Sequence, residues 1–555
     1  MTILRNEYAK RAINQIPRLL SMQDRNPYSK TYGCFDRMYW LDKAIDFPSA
    51  IMQFAVQSLA LVYSEKFPNN PYYKNDNILK WAIAGMEFWT KIQKKDGSFD
   101  EFYPNEHGWA GPTGFLLYAM IDSYERLKSN IEHSLEEKIL ETAKKSALYL
   151  AKYDEAGILA NHHAIALLAI YYASKSLEDE TLLYNFEEKF NYFLGLQSEE
   201  GWFLEYDGAD PGYLSATVSF LAKLYKLVDD KEFKEKIFTA VEKAIKFSSY
   251  FVYPNGFYAG TIGSRQTLHF YPSGYEFFGN KIPLAHTIAN KMLESLHDGK
   301  LVPPEIMPGR YLPYRTSEFL LSYLDYTPRK KSLPKLPFEG ENFEKYFPKA
   351  RILVKKNERY YAICNLAKGG VIKAFDLKNN RLVLNDCGVI GKLKSEKVVC
   401  SQWIGPEYEV IIRNGKYCVK GPLYSVSTMA PTPFKNLLLR GLLLSLGWNT
   451  TMAYKIKELI RNILILKNKK SKAEFERCFE FLGDEIAIHN SIAPNGETFK
   501  SLSIGGEFAV RYVPQSLYFQ SQELDIKQLH LNSKTIEKLN EGKSIKVTVK
   551  VGFYE

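Results

Sequence analysis

Asp96-Gly97-Ser98-Phe99, followed by Glu101 and Tyr103, and Glu200-Gly201-Trp202-Phe203, followed by Glu205 and Tyr206, are one phrase written twice. Asn255-Gly256-Phe257-Tyr258 occupies a similar place later. Each follows a run of apolar residues at i, i+3, i+4 spacing, and the first two lead into the next such run. The runs fall at about 48–66, 77–93, 112–128, 134–152, 161–176, 181–197, 212–228, 231–250 and 282–297. Recurrent helix hairpins with Gly-aromatic turns predict an (α/α) toroid over residues 1–330, with inner helices lining a cleft and loops at one end building a site. The turns have a plainer account as hairpin closures, which suits Gly97 and Gly201 in any case. Ser134 with Glu137 reads as a capping box at a helix start.

Residues 331–348, with Pro334, Pro337, Pro348 and many Lys, read as a linker. Beyond it the apolar period drops to two, at Arg351–Val354, Tyr360–Asn365, Gly370–Asp376, Arg381–Asn385, Glu409–Arg413, Cys418–Lys420, Glu485–Asn490, Phe508–Tyr512 and Ser544–Val551. Lys378-Asn379-Asn380 and Asn414-Gly415 are hairpin signals. Residues 349–555 are therefore expected to form an antiparallel β-sandwich, making the chain an α+β multidomain protein. One segment breaks the period. Residues 434–477 hold Leu437-Leu438-Leu439 and Leu442-Leu443-Leu444, then a basic helix-like stretch from Lys455 to Lys472. It is expected to be an insertion, packed on the toroid or lying on an anionic membrane surface.

The chain has 555 residues, too many for one core, and a formal net charge of +10. That excess suits a polyanionic partner, and no nucleic-acid motif accompanies it. Aromatics reach 14%, with 38 Tyr and 34 Phe. Flat amphipathic rings suit sugar binding, but codon bias explains the same excess, so composition decides nothing. The six Cys show no C-x-x-C pair and are expected to be reduced, mostly buried thiols. Charges at Arg5, Glu7, Lys10 and Arg11 leave no signal-peptide core, and no 18-residue apolar run exists. A cytoplasmic location, peripheral at the inner face of the membrane if 434–477 touches lipid, is the expectation. Oligomeric state is not legible.

Three patches lie where the chain enters helices: Asn105-Glu106-His107-Gly108-Trp109 after Tyr103-Pro104, Asn161-His162-His163, and Asp207-Gly208-Ala209-Asp210-Pro211-Gly212-Tyr213. Asn161 has a bland account as a helix N-cap. A metal role for His162-His163 is weak, because adjacent residues on a helix point about 100° apart. No metal and no cofactor is expected.

Asn161-His162, then Tyr213 about fifty residues later behind an Asp-Gly-x-x-Pro-Gly loop, resembles the heparinase II/III-like polysaccharide lyases and related alginate lyases, as does Tyr103-Pro104-Asn105-Glu106. The resemblance implies an α/α toroid followed by an antiparallel β-sandwich, and β-elimination from a uronate in an acidic polysaccharide. The C5 proton beside a carboxylate is weakly acidic, so the developing enolate needs electrostatic help. By resemblance, Asn161 donates to the carboxylate, and His162 and Tyr213 serve as base and acid around C5 and O4. Arg265 would favour a Tyr213 phenolate or clamp a carboxylate, with a surface salt bridge as its plainer account. Tyr103, Asn105, Glu106, His107, His163, Asp207, His269 and Tyr275 are expected to line subsites. The family's His-x-His pattern early in the β-domain has no counterpart in Asn365-Leu366-Ala367-Lys368-Gly369-Gly370, which puts a metal site and turnover in question. Two other classes remain. A glycoside hydrolase would draw two carboxylates from Glu101, Glu106, Glu205, Asp207 and Asp210. A non-catalytic protein would bind a glycan or assist exopolysaccharide biosynthesis.

Overall fold

The computed structural model describes residues 2–106, 109–153, 159–405, 407–426, 430–461, 469–511, 513, 516–526 and 528–553. Six inner helices, Ala55–Ser64, Ala110–Leu127, Ala160–Leu177, Pro211–Leu227, Ser273–Phe278 and Leu312–Asp325, each pack on the next, and the last returns to the first. That closes a toroid. Asp76–Ile92, His133–Lys152, Phe186–Gly195, Lys231–Ser248, Pro283–His297 and Thr2–Ile13 form the outer layer. Composition sorts the layers. Ala160–Leu177 reads Ala-Ile-Ala-Leu-Leu-Ala-Ile at 164–170, all of it buried. Lys231–Ser248 turns Ile237, Val241, Ala244 and Ile245 inward and leaves its lysines and glutamates outside.

The repeated Gly-aromatic turns clamp successive outer helices. Gly97 and Gly201 have φ of +92° and +105°, and a Cβ there would sit 2.3 Å from the Lys145 carbonyl oxygen and 2.2 Å from that of Lys243. Gln93 Nε2 donates to Thr142 O and Gln197 Nε2 to Ala240 O, each at 2.8 Å. Phe99 stacks on Trp89 and Phe203 on Phe193. The hairpin-closing role of these turns is therefore structural. Ser134 forms no capping box: the helix begins at His133 with Glu132 as its N-cap.

The 331–348 stretch is not all linker, since Phe343–Phe347 is a strand. It opens a five-stranded antiparallel sheet in sequence order, with Ile352–Lys356, Tyr360–Asn365, Val371–Asp376 and Arg381–Asp386. One face of this sheet (Val354, Tyr361, Ile363, Phe375) joins the helical core. The other (Leu353, Tyr360, Ala362, Cys364) packs with Val419, Phe475, Phe479 and Ile488 of a nine-stranded antiparallel sheet. Burial on both faces explains the unbroken apolar run Tyr360–Asn365.

The predicted strand Phe508–Tyr512 is not one among its described residues. The Gln402 amide replaces a strand partner, donating to Phe508 O at 2.7 Å and accepting from Val510 N at 3.0 Å. The 434–477 segment also divides differently. Pro433–Leu446 and Thr450–Arg461 are helices, but Lys469–Phe481 is a strand paired along Lys416–Val426, so Lys469, Lys470 and Lys472 lie on a sheet. That pairing sets Cys418 opposite Cys478, and the two form a disulfide. The expectation of six reduced thiols is corrected accordingly. Reading the stretch through Lys472 as helix-like hid the register that joins cysteines 60 residues apart. Cys34, Cys364, Cys387 and Cys400 are buried and free.

Candidate active site

Two neighbouring inner helices each bring a predicted residue to the same end of the toroid. Ala160–Leu177 begins with Leu159 as N-cap, which puts Asn161 in the first turn rather than at the cap. Asn161 N and Nδ2 both donate to Glu205 Oε1, at 2.7 and 2.8 Å. Leu159 also bridges to Glu205 on a short hairpin, Leu204–Glu205 with Gly208–Ala209, that leads into Pro211–Leu227. Asp210 caps that helix, its Oδ1 accepting from Tyr213 N at 3.0 Å. Asp210 Oδ2 accepts from Arg265 N at 3.1 Å and Thr267 Oγ1 at 3.0 Å. Asn161, Tyr213 and the Arg265 loop are thus tied through two buried carboxylates. One Asn161 amide hydrogen remains for another acceptor.

A chain of ring contacts joins His162 to Tyr213. His162 lies against Phe115, Phe115 against Tyr314, Tyr314 against Tyr271, Tyr271 against His269, and His269 edge-on against Tyr213, with centroids 5.2–6.3 Å apart. His162 Nδ1 accepts from Trp109 Nε1 at 3.1 Å, so in the neutral ring the proton sits on Nε2. Burial pushes the Tyr213 hydroxyl well above its ordinary range, with the charge of Arg265 opposing. Burial, then Arg315, holds His269 well below the usual histidine range. Neither His269 nitrogen has a hydrogen-bond partner among the described residues, although the residue is 2% exposed. Arg265 lies over the Tyr206 ring at 4.3 Å.

Other predicted residues are placed differently. Asn105 has φ +57°, accepts from Lys94 Nζ and donates to Leu443 O at 3.2 Å, so its amide braces a loop. Glu106 Oε2 accepts from Glu101 N and Phe102 N, and burial pushes its carboxyl up to about 8 against the pull of Lys457. Tyr103 is half-buried in the same loop. His163 is buried edge-on to Tyr192. Asp207 is exposed in the hairpin turn, 3.4 Å from Arg511 Nη1. Tyr275 is fully buried and donates to Ser248 Oγ, away from any cleft surface. His107 lies outside the described residues.

Four of the five candidate carboxylates are buried and engaged within the protein. Glu101 accepts from Ser49 and Ile51 and pairs with Arg310. Glu106, Glu205 and Asp210 are likewise buried and hydrogen-bonded. Asp207 alone of the five is exposed.

Sequence reasoning missed a flanking cavity of about 450 Å³ between toroid and sandwich. Trp202, Trp403, Lys349, Arg351 and Arg511 line it. Arg511 stacks on Trp403 at 3.9 Å and donates to Tyr206 O. No local pattern announces it, since its lining spans three hundred residues. Lys368 donates to Thr261 O and Gly263 O at 2.7 Å each, while Asn365 Nδ2 donates to Ile262 O. These side chains hold the loop that carries Arg265. The one group of three metal-ligating side chains among the described residues, Cys418, Glu476 and Cys478, contains the disulfide.

No family model matches the chain, and no curated protein matches it. Among solved structures it is similar to a heparinase III, at 11% identity and TM-score 0.44, covering 90% of this chain and 71% of that one. A chondroitinase AC lyase gives 11%, 0.44, 90% and 68%. A cellobiose 2-epimerase from Bacillus thermoamylovorans gives 13%, 0.44, 58% and 99%. What the chain does has to be read from its own residues.

Proposed function

We propose that this chain is a polysaccharide lyase that cleaves a uronate-containing acidic polysaccharide by β-elimination. The observation that carries this is the pair of hydrogen bonds from Asn161 to Glu205, which ties the first turn of one helix to the hairpin that delivers Tyr213. Asn161 and the Nε2–H of His162 neutralise the substrate carboxylate, supplying donors where enolate charge develops. Tyr213 holds its proton at rest and delivers it to the departing O4. His269, neutral, buried and without a partner, accepts the C5 proton. This moves the base from His162, whose Nδ1 is engaged by Trp109, to His269. Arg265 and the cavity lined by Lys349, Arg351 and Arg511 hold neighbouring acidic sugars.

The test is ultraviolet absorbance of the 4,5-unsaturated uronate, with the chain added to a panel of polyuronates and glycosaminoglycans. A rise with one polymer, abolished in Tyr213→Phe and His269→Ala, supports the proposal. Binding without any rise across the panel would instead make the chain a glycan-binding protein.

A further inference from the structure

Nine of the 23 large apolar side chains left exposed among the described residues fall within residues 434–459. Phe434, Leu437, Leu438 and Trp448 are 70, 71, 59 and 74% exposed. In the helix Pro433–Leu446 only Leu443 is buried. The second helix of this hairpin, Thr450–Arg461, buries Ala453 and Ile456 and leaves Leu459 exposed. A protein surface in water rarely leaves so many leucines side by side without an occupant.

We infer that this helical hairpin docks the protein onto an anionic lipid surface. Charge identifies the occupant. Residues 433–461 carry five cations against a single acid, Glu458; Arg440 is paired with Asp46 and Lys457 is buried against Trp109, so Lys435 and Lys455 are the ones the described surface presents. Lys435 and Lys455 are exposed beside the leucines. Lys469, Lys470 and Lys472 are exposed on the strand that follows. A second copy of the chain on this face would bring like charges together, whereas an anionic bilayer offers the opposite charge and an apolar interior at once. The helices have 14 and 12 residues, and no helix among the described residues is long and apolar enough to cross a membrane. They therefore lie in the interface plane.

The hairpin is anchored to the candidate site. Leu443 O accepts from Asn105, Arg440 pairs with Asp46 at 3.3 Å, and Lys457 lies over the Trp109 ring at 4.4 Å. Lipid attachment thus holds the toroid's site end close to the membrane surface, where a membrane-associated acidic glycan would be met.

The experiment is sedimentation of the full chain with vesicles of phosphatidylglycerol and phosphatidylcholine, against phosphatidylcholine alone and no vesicles. Binding to the anionic vesicles, release by high salt, and at least a roughly tenfold loss in Leu437→Glu/Leu438→Glu are expected. Both leucines are exposed, and a thermal melt of the variant confirms that it folds. Absence of binding, or equal binding by the variant, overturns the inference. A dimer seen by light scattering and dispersed by the same variant would give the face to a second copy instead. The readout uses no polysaccharide, so it stands or falls separately from the lyase assignment.

Discussion

Glu205→Gln separates what the Glu205 carboxyl does for shape from what it does by charge. The side chain is 1% exposed, accepts twice from Asn161, and leaves Oε2 without a partner. Burial, with Asp210 adding to it, pushes its pKa from the ordinary 4.5 to about 8, while the two Asn161 bonds pull the other way. A carboxyl whose native pKa lies above its unfolded value binds its proton more tightly when folded. Its contribution is complete below about pH 4.5 and is lost as pH rises through 8. The ceiling on that loss is on the order of 5 kcal/mol. The glutamine side chain keeps an oxygen for Asn161 and has no proton to lose. The variant should match the wild type in thermal melts near pH 5 and exceed its Tm near pH 8, with Asn161-dependent activity retained. Glu205→Ala should lose both, by about 2–4 kcal/mol in stability. Glu106 has the same sign and range, so Glu205→Gln flattens the pH profile only in part. A Glu205→Gln protein less stable than wild type at pH 8 would refute the reasoning, because it would mean that the native carboxyl is ionised.

Tyr213→Phe should lower kcat by about 10²–10⁴ with little change in KM, measured by unsaturated-uronate absorbance. Trp109→Phe removes the indole N–H that fixes the His162 tautomer, and should lower kcat/KM while leaving Tm within a few degrees. Arg511→Ala should raise KM about tenfold with kcat preserved, because it strips one of the three cations from the flanking cavity without touching Tyr213. Denatured, unreduced protein should show four thiols rather than six in a thiol titration. Cys418→Ser/Cys478→Ser should cost about 4 kcal/mol, the chain-entropy value for a closed loop of this length.

The fold was legible wherever periodicity was local. Nearly every amphipathic run maps to a helix, the outer ones because they keep one wet face, and Tyr360–Asn365 and Glu409–Arg413 match to the residue. The failures have physical causes. Leu312–Asp325 is buried on almost all sides and carries Pro313, so it shows neither a stripe nor a clean start. Phe343–Phe347 hid in a proline-rich context. Lys469–Phe481 alternates charge with Ala473, Phe475 and Phe479 inward, but follows so directly on a basic helix that its period passed for a continuation.

The site divides along the same line. Asn161, His162 and Tyr213 were visible because each sits in the first turn of a helix, where sequence position and spatial position nearly coincide. The groups that set their protonation were not. Trp109 reaches His162 across 53 residues, Glu205 reaches Asn161 across 44, and Arg511 reaches the Tyr206 carbonyl across 305. Those partners decide which nitrogen of the neutral His162 ring carries the proton and where the Asn161 amide is held. Glu205 itself entered only as a hydrolase candidate, on the premise that a cleft carboxylate meets substrate. Buried under Asn161, it holds that side chain by two hydrogen bonds; on the proposed mechanism Glu205→Gln should therefore spare turnover where Asn161→Ala, removing the proposed donor itself, should lower it about 10²–10³-fold.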